Sequence, residues 1–244
     1  MDCRELQISG HIEELRKRII ITLAGFAAIF VVSFVFVEDI YKLLVKNFDG
    51  KLAVLGPSEI LWVYMSIAGV SAIAATIPLA AFQIWKFISP ALRPNERRIT
   101  FRFIPGLFLL FVTGVLFGYL VLFPIVIGFL TSLSAGQFQT MFTAKKYFRF
   151  MLNLTLPLGL LFEMPLVVMF LTRLGILNPA RLAKGRKLSY FTLVVISILI
   201  TPPDLISDIL VIVPLLVLYE VSVFLANFVY RKRLVQNDLV QGVG

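Results

Sequence analysis

The feature that most constrains this chain is a series of apolar segments that are long enough to cross a bilayer. About 20 helical residues span the ~30 Å hydrocarbon core of a membrane, and 59% of the chain is hydrophobic while 15% is charged. The sequence therefore predicts an all-α membrane protein with six transmembrane helices and no soluble domain. The predicted spans are Ile19–Val37, Ile60–Ile88, Ile99–Leu130, Tyr147–Leu174, Leu188–Ile200 and Leu205–Tyr230.

The basic residues indicate how these spans are oriented. Most of the 23 Lys and Arg residues fall at the two termini, between the second and third spans, and between the fourth and fifth. Cytoplasmic loops carry an excess of Lys and Arg, so both termini are predicted to lie in the cytoplasm. Residues 1–18 are then an amphipathic cytoplasmic segment, residues 19–230 the six-helix transmembrane domain, and residues 231–244 a mobile cytoplasmic tail.

The end of the chain and its prolines predict the shape of the bundle. Leu188–Ile200 spans only about 20 Å as a helix, and Thr201-Pro202-Pro203-Asp204 turns directly into the next helix, where Asp204 suits the N-cap. Prolines inside the spans remove helix hydrogen bonds and kink the helices. The sequence therefore predicts a cupped, concave bundle with short fifth and sixth spans.

Glu163 is the most costly residue of the predicted fourth span. It is the only ionisable residue between Arg149 and Arg173, and a carboxylate at the centre of a bilayer costs about 2.5–3.5 kcal/mol on insertion scales. Pro157 and Pro165 flank it and free backbone carbonyls nearby. A group in this setting needs a protein partner, a hydrated cavity or a proton.

Two further acids lie on the strongly basic cytoplasmic side. Glu14 precedes Arg18 by four residues, which is the favourable order for a helical ion pair. Glu96 suits the positive N-terminal end of the third helix. Each acid therefore has a local structural interpretation. The alternative is that the two carboxylates bind guanidinium groups of a ligand through charge-assisted hydrogen bonds.

Composition and missing motifs argue against an enzyme. The single cysteine, Cys3, excludes an internal disulfide, and the single histidine, His11, weakens any histidine-ligated metal site. The common phosphate-binding, serine-hydrolase and zinc-protease motifs are missing from the sequence. We therefore expect no catalytic activity and no cofactor. A proton-coupled transporter with Glu163 as the relay is the alternative class, although the two halves lack the matching patterns typical of such proteins.

Four motifs in order resemble those of the twin-arginine translocase C subunit (TatC) family, and together they cover nearly the whole chain. They are His11-Ile12-Glu13-Glu14-Leu15-Arg16-Lys17-Arg18, then Phe87-Ile88-Ser89-Pro90-Ala91-Leu92 followed by Glu96-Arg97-Arg98, then Phe162-Glu163-Met164-Pro165, and finally Thr201-Pro202-Pro203-Asp204 with Ser207.

The resemblance implies a receptor in the bacterial cytoplasmic (inner) membrane for folded proteins that carry twin-arginine signal peptides. It implies oligomeric assembly with the single-span Tat A and Tat B subunits, and export driven by the protonmotive force. The residues implied for signal-peptide binding are Glu14, Leu15, Arg16, Phe87, Pro90, Leu92, Glu96 and Arg97. Those implied for partner contact in the membrane are Glu163 and Pro165, and those implied for a periplasmic cap are Pro57, Glu59, Pro202, Pro203 and Asp204.

Overall fold

The computed structural model describes residues 3–46, 52–91, 97, 101, 103–134, 141–201 and 205–241, and their regular structure is helical. The helices are α1 (Cys3–Val35), α2 (Val37–Val45), α3 (Pro57–Ile88), α4 (Phe103–Phe117), α5 (Phe123–Ser134), α6 (Ala144–Phe162), α7 (Met164–Leu174), α8 (Pro179–Lys184), α9 (Arg186–Ile200) and α10 (Leu205–Gln241). A 3₁₀ turn (Ser89–Ala91) follows α3, and a π-helical segment (Gly118–Leu122) joins α4 to α5.

Five helical segments of the described residues are long and apolar enough to cross a membrane, which confirms the predicted all-α membrane class. They are Ile12–Val35, Pro57–Ile88, Phe103–Leu133, Ala144–Leu174 and Ile206–Arg231. The predicted fifth span corresponds to α9, which has 15 residues and extends about 22 Å at 1.5 Å per residue. A sixth crossing at α9 therefore stays a prediction.

The chain divides into two compact units, which we describe separately. The first comprises Met1–Phe108 and Met141–Arg149, and the second comprises Leu109–Thr140 and Phe150–Gly244.

In the first unit, α1 packs along α3. Gly25 lies at this contact, where a Cβ atom would be 2.2 Å from Cδ2 at the tip of the Leu79 side chain. Helix α1 runs without a break from Cys3 to Val35, so the predicted amphipathic stretch and the predicted first span lie on one helix. No proline interrupts residues 3–35, so the backbone hydrogen bonds of the amphipathic stretch continue directly into the apolar stretch.

A short helix and an extended segment close one end of the first unit. Helix α2 packs on α3, and its Tyr41 ring stacks on Phe148 at 5.4 Å. Ala53 donates to the Phe142 carbonyl at 3.0 Å and accepts from the Ala144 amide at 2.8 Å. These two bonds tie the start of α6 to the segment that precedes α3.

In the second unit, the helix that runs through the π-helical segment packs against α6 across a seam of small residues. A Cβ atom at Gly114 would lie 2.7 Å from Phe162 Cβ and 2.9 Å from Gly159 Cα. A Cβ atom at Gly118 would lie 3.0 Å from Thr155 Cα. Backbones that approach this closely require residues without side chains.

The predicted fourth span is a pair of helices that meet at Glu163. Pro165 carries no N–H, so it cannot continue the hydrogen-bond ladder to the carbonyl of Leu161. The chain turns at Glu163, whose amide donates to the Leu160 carbonyl at 3.2 Å. Helix α7 then packs along α10.

Helices α9 and α10 form the predicted hairpin, but only α9 is short. The apolar part of α10, Ile206–Arg231, has 26 residues, so the prediction of a short sixth span is wrong. The same helix continues past the predicted tail boundary at residue 231 and ends at Gln241. The apolar run begins directly at the start of α10, which leaves its full length available for a crossing.

Candidate functional site

The first candidate site lies in the first unit and contains Glu14. Arg18 Nη2 bonds to Glu14 Oε1 at 2.7 Å, and the two side chains are 15% and 33% exposed, respectively. The local interpretation of Glu14 as an ion-pair partner of Arg18 is therefore confirmed. The carboxylate is partly accessible, and a carboxylate can accept several hydrogen bonds at once. Pairing with Arg18 is thus compatible with a further cationic ligand.

An open cavity of about 370 Å³ adjoins this ion pair. Its lining residues come from α1 and from the end of α3, and they include both acidic and basic groups. The lining residues are Glu13, Glu14, Lys17, Arg18, Ile21 and Lys86. Because basic groups share this cavity, a cationic ligand must be recognised by directed hydrogen bonds to the carboxylates rather than by the net field alone.

The end of α3 carries further predicted site residues. Phe87 is half-buried, and Pro90 is exposed in the 3₁₀ turn. The Arg97 guanidinium lies 5.7 Å from the centre of the Trp85 ring, and Trp85 Nε1 donates to the Arg97 carbonyl at 3.2 Å. Arg97 is thus attached to the end of α3 by two contacts.

On α1, the predicted site residues Leu15 and Arg16 are both exposed. Glu96 and Leu92 lie outside the described residues. The structure therefore brings Glu14 and the end of α3 into one unit, and the part played by Glu96 stays a prediction.

The second candidate site is the carboxyl group of Glu163 in the second unit. Its Oε1 is buried and has no hydrogen-bond partner among the described residues. The residue is half-buried, and its neighbour Pro165 is buried. The adjacent Phe162 ring lies 5.6 Å from that of Phe117. A buried oxygen without a partner costs about 1–3 kcal/mol, and more when the group is charged.

The predicted cap residues begin α3. Pro57 occupies the first turn of the helix, where its missing N–H has no intrahelical role. Glu59 accepts a hydrogen bond from the Leu55 amide at 3.1 Å. Both residues thus stabilise the start of this helix. The other cap residues, Pro202, Pro203 and Asp204, lie outside the described residues.

Sequence reasoning missed two polar clusters that fasten the α9–α10 hairpin. Near one end, Glu220 accepts hydrogen bonds from Arg186 Nη2 at 2.9 Å and from the Tyr190 hydroxyl. Near the other end, the Thr201 hydroxyl donates to the Asp208 carboxylate. The two acids of α10 were the available signal. If α9 and α10 are paired as antiparallel helices, these acids lie beside the polar residues at the two ends of α9.

These observations define a helical membrane protein. One unit contains an open cavity with acidic and basic groups, and the other contains a buried carboxyl oxygen that has no hydrogen-bond partner among the described residues. The family model described as Sec-independent protein translocase protein (TatC) matches residues 10–214. The chain belongs to the TatC family and is a component of the machinery for protein transport across membranes.

Relatives and solved structures agree with this assignment. TatCd of Bacillus subtilis (strain 168) is 67% identical over 234 residues, which cover 96% of this chain and 97% of that protein. TatCy of the same organism is 42% identical over 236 residues, with 95% and 93% covered. The crystal structure of the twin-arginine translocase receptor TatC matches with a TM-score of 0.79 at 32% identity, and covers 90% of this chain and 99% of that one.

Proposed function

We propose that this chain is the signal-peptide receptor and core subunit of a twin-arginine protein translocase. The observation that carries the proposal is the Glu14 carboxylate, which is partly exposed beside an open cavity on a basic surface. A solved TatC structure with a similar fold is described as a twin-arginine translocase receptor, which supports the same role here.

The chemistry of the proposed recognition is the pairing of carboxylates with guanidinium groups. Arginine presents a planar fork of donors that matches the two oxygens of a carboxylate, whereas lysine presents a compact point charge. In this proposal Glu14 and Glu96 bind the two signal arginines. Leu15, Arg16, Phe87, Pro90, Leu92 and Arg97 form the surrounding surface.

Glu163 and Pro165 form the proposed contact with partner subunits inside the membrane. Oε1 of Glu163, which has no hydrogen-bond partner within the described part of the chain, supports this assignment, because a polar group from an incoming helix would satisfy a buried oxygen that is otherwise costly. The partners are the single-span Tat A and Tat B subunits, and the working complex is oligomeric.

The proposed setting is the bacterial inner membrane. The chain crosses it six times, with α9 as the short fifth span and both termini in the cytoplasm, and the bundle is cupped. The protonmotive force drives export, and the chain itself performs no catalysis. Pro57, Glu59, Pro202, Pro203 and Asp204 belong to the periplasmic cap. The transporter alternative, with Glu163 as a proton relay, gains no support from the relatives, which are named as protein translocase proteins.

The proposal is tested by site-specific photo-crosslinking of a signal peptide to membranes that contain this chain. Wild-type protein, Glu14→Gln and Glu96→Gln are each compared with a twin-arginine and a twin-lysine peptide. Either substitution should weaken crosslinking of the twin-arginine peptide about tenfold, the effect of one charged hydrogen bond of about 1.5 kcal/mol. The twin-lysine peptide should crosslink poorly throughout. Equal crosslinking in all combinations would refute the receptor assignment.

A further inference from the structure

The Arg18 guanidinium forms hydrogen bonds to residues of two helices. Nη2 bonds to Glu14 Oε1 at 2.7 Å on its own helix, and Nη1 bonds to Gln83 Oε1 at 3.3 Å on α3. Gln83 is only 7% exposed, and the Arg18 side chain is 15% exposed. Gln83 lies at the cavity end of α3, three residues before Lys86, which lines the cavity. A buried amide from a neighbouring helix therefore fixes the orientation of the arginine beside the proposed recognition carboxylate.

This orientation leaves a donor of Arg18 unsatisfied. Its Nε is buried and has no hydrogen-bond partner among the described residues. An arginine that is free to turn binds a carboxylate through two parallel hydrogen bonds, which is its strongest arrangement. With Nη1 bonded to Gln83, Arg18 cannot place both amino groups on Glu14. It bonds to Glu14 through Nη2, and Nε, which could form a second bond on the same edge, is the group without a hydrogen-bond partner among the described residues.

We propose that Gln83 is a positioning residue that prevents Arg18 from capturing the Glu14 carboxylate with both amino groups, and so keeps Glu14 competent to bind an incoming guanidinium. This inference rests on the proposed function of Glu14 as a receptor carboxylate. In the absence of the Gln83 amide, Arg18 turns its fork onto Glu14 and competes with the signal arginine for the same oxygens.

The test measures the dissociation constant of a fluorescent twin-arginine signal peptide for the purified full-length chain in lipid nanodiscs. Gln83→Met removes the acceptor and keeps the length of the side chain, and it should weaken binding about tenfold, the effect of one charged hydrogen bond of about 1.5 kcal/mol. Gln83→Glu keeps an acceptor for Arg18 and should bind at least as tightly as wild type. Thr76→Val is the matched control, because Thr76 is buried on the same helix and its hydroxyl bonds to its own helix at the Ala72 carbonyl. It should leave binding unchanged.

Two double variants separate positioning from a general loss of structure. Arg18→Lys in the Gln83→Met background should restore binding, because an ammonium group cannot make the paired contact. In the Glu14→Gln background, Gln83→Met should have no further effect, since its action runs through Glu14. A full additional loss in that background, or failure of Arg18→Lys to restore binding, would overturn the proposal.

The result also distinguishes this inference from the proposed function. If Glu14→Gln alone leaves peptide binding unchanged, the receptor role of Glu14 fails and the role of Gln83 fails with it. If Glu14→Gln weakens binding while Gln83→Met does not, the receptor role stands and only the role of Gln83 is overturned.

Discussion

Two carboxylates in this chain have opposite surroundings. Glu14 is partly exposed and bonds to Arg18, whereas Oε1 of Glu163 is buried and has no partner among the described residues. A carboxylate with a nearby guanidinium suits reversible recognition of cations, because its ionised form is already stabilised. A buried oxygen without a partner is instead destabilising, and a hydrogen bond from a second polar group would stabilise it.

Glu163→Met should therefore change stability and assembly in opposite directions. Removal of this buried oxygen should raise the free energy of unfolding of the isolated chain by about 1–3 kcal/mol. The same change should lower co-purification with the single-span partner subunits several-fold, because a polar docking group is lost. Thermal unfolding in detergent and quantitative pull-down measure the two effects.

The matched control is Thr172→Val on α7. Thr172 is buried, and its hydroxyl bonds to the Val168 carbonyl of its own helix, so its replacement should leave co-purification unchanged. A Glu163→Met protein that co-purifies with its partners as well as wild type does would remove the docking role of Glu163.

Single residues were predictable where the relevant partner was close in sequence. The pair of Glu14 and Arg18 followed from a spacing of four residues, which is fixed by the helix itself. The bond from Arg18 to Gln83 joins residues 65 positions apart, and it depends on how α1 packs against α3. Sequence spacing holds no information on that contact.

At the scale of elements, the glycine seam decides how closely α4 and α6 approach. Gly114 faces Phe162 and Gly159 at distances that leave no room for a methyl group. Phe162 immediately precedes Glu163, so the seam lies next to the break between α6 and α7.

Gly114→Val should destabilise the protein. The new side chain would overlap Phe162 and the backbone of Gly159, and overpacking of this kind typically costs about 1–3 kcal/mol. Thermal unfolding of the purified protein measures the loss as a lower midpoint.

Gly128→Ala on α5 is the control for this experiment. A Cβ atom at Gly128 meets nothing within 4 Å, and alanine favours the helix by about 1 kcal/mol over glycine. Equal melting midpoints for Gly114→Val and wild-type protein would contradict the seam as described.

Elements were predictable to the extent that local rules determine them. Pro165 correctly marked the break at Glu163, because its missing N–H acts locally, whereas Pro157 lies inside the continuous helix α6. The π-helical segment Gly118–Leu122 was not predicted, since it arises where this helix meets Thr155 and Leu158 of α6. The prediction of a short sixth span is wrong because the turn before α10 limits the length of α9 only. The apolar part of α10 keeps 26 residues.

For the whole molecule, the proposed receptor function depends on which side of the membrane each terminus occupies. Apolar length and helical content were correctly predicted from composition, since they follow from the bilayer as a solvent. Sidedness rests on the distribution of basic residues. The contact between α1 and the end of α3 was not predicted, because it depends on the packing of helices that are far apart in sequence.

The single native cysteine offers a direct test of topology. A membrane-impermeant maleimide should not label Cys3 in intact protoplasts and should label it after lysis, because the N-terminus is predicted to be cytoplasmic. In a Cys3→Ala background, Ser58→Cys should react in intact protoplasts, since Ser58 is exposed at the start of α3 on the predicted outer side. Labelling of Cys3 from outside would invert the proposed orientation.

As a receptor, this chain should by itself distinguish a twin-arginine signal from other basic sequences. Equilibrium binding of fluorescent twin-arginine and twin-lysine signal peptides to the purified chain in nanodiscs, without partner subunits, measures this property. The twin-arginine peptide should bind at least about tenfold more tightly, since charge-assisted guanidinium hydrogen bonds of about 1.5–3 kcal/mol are lost with lysine. Equal affinity for the two peptides would contradict the receptor role.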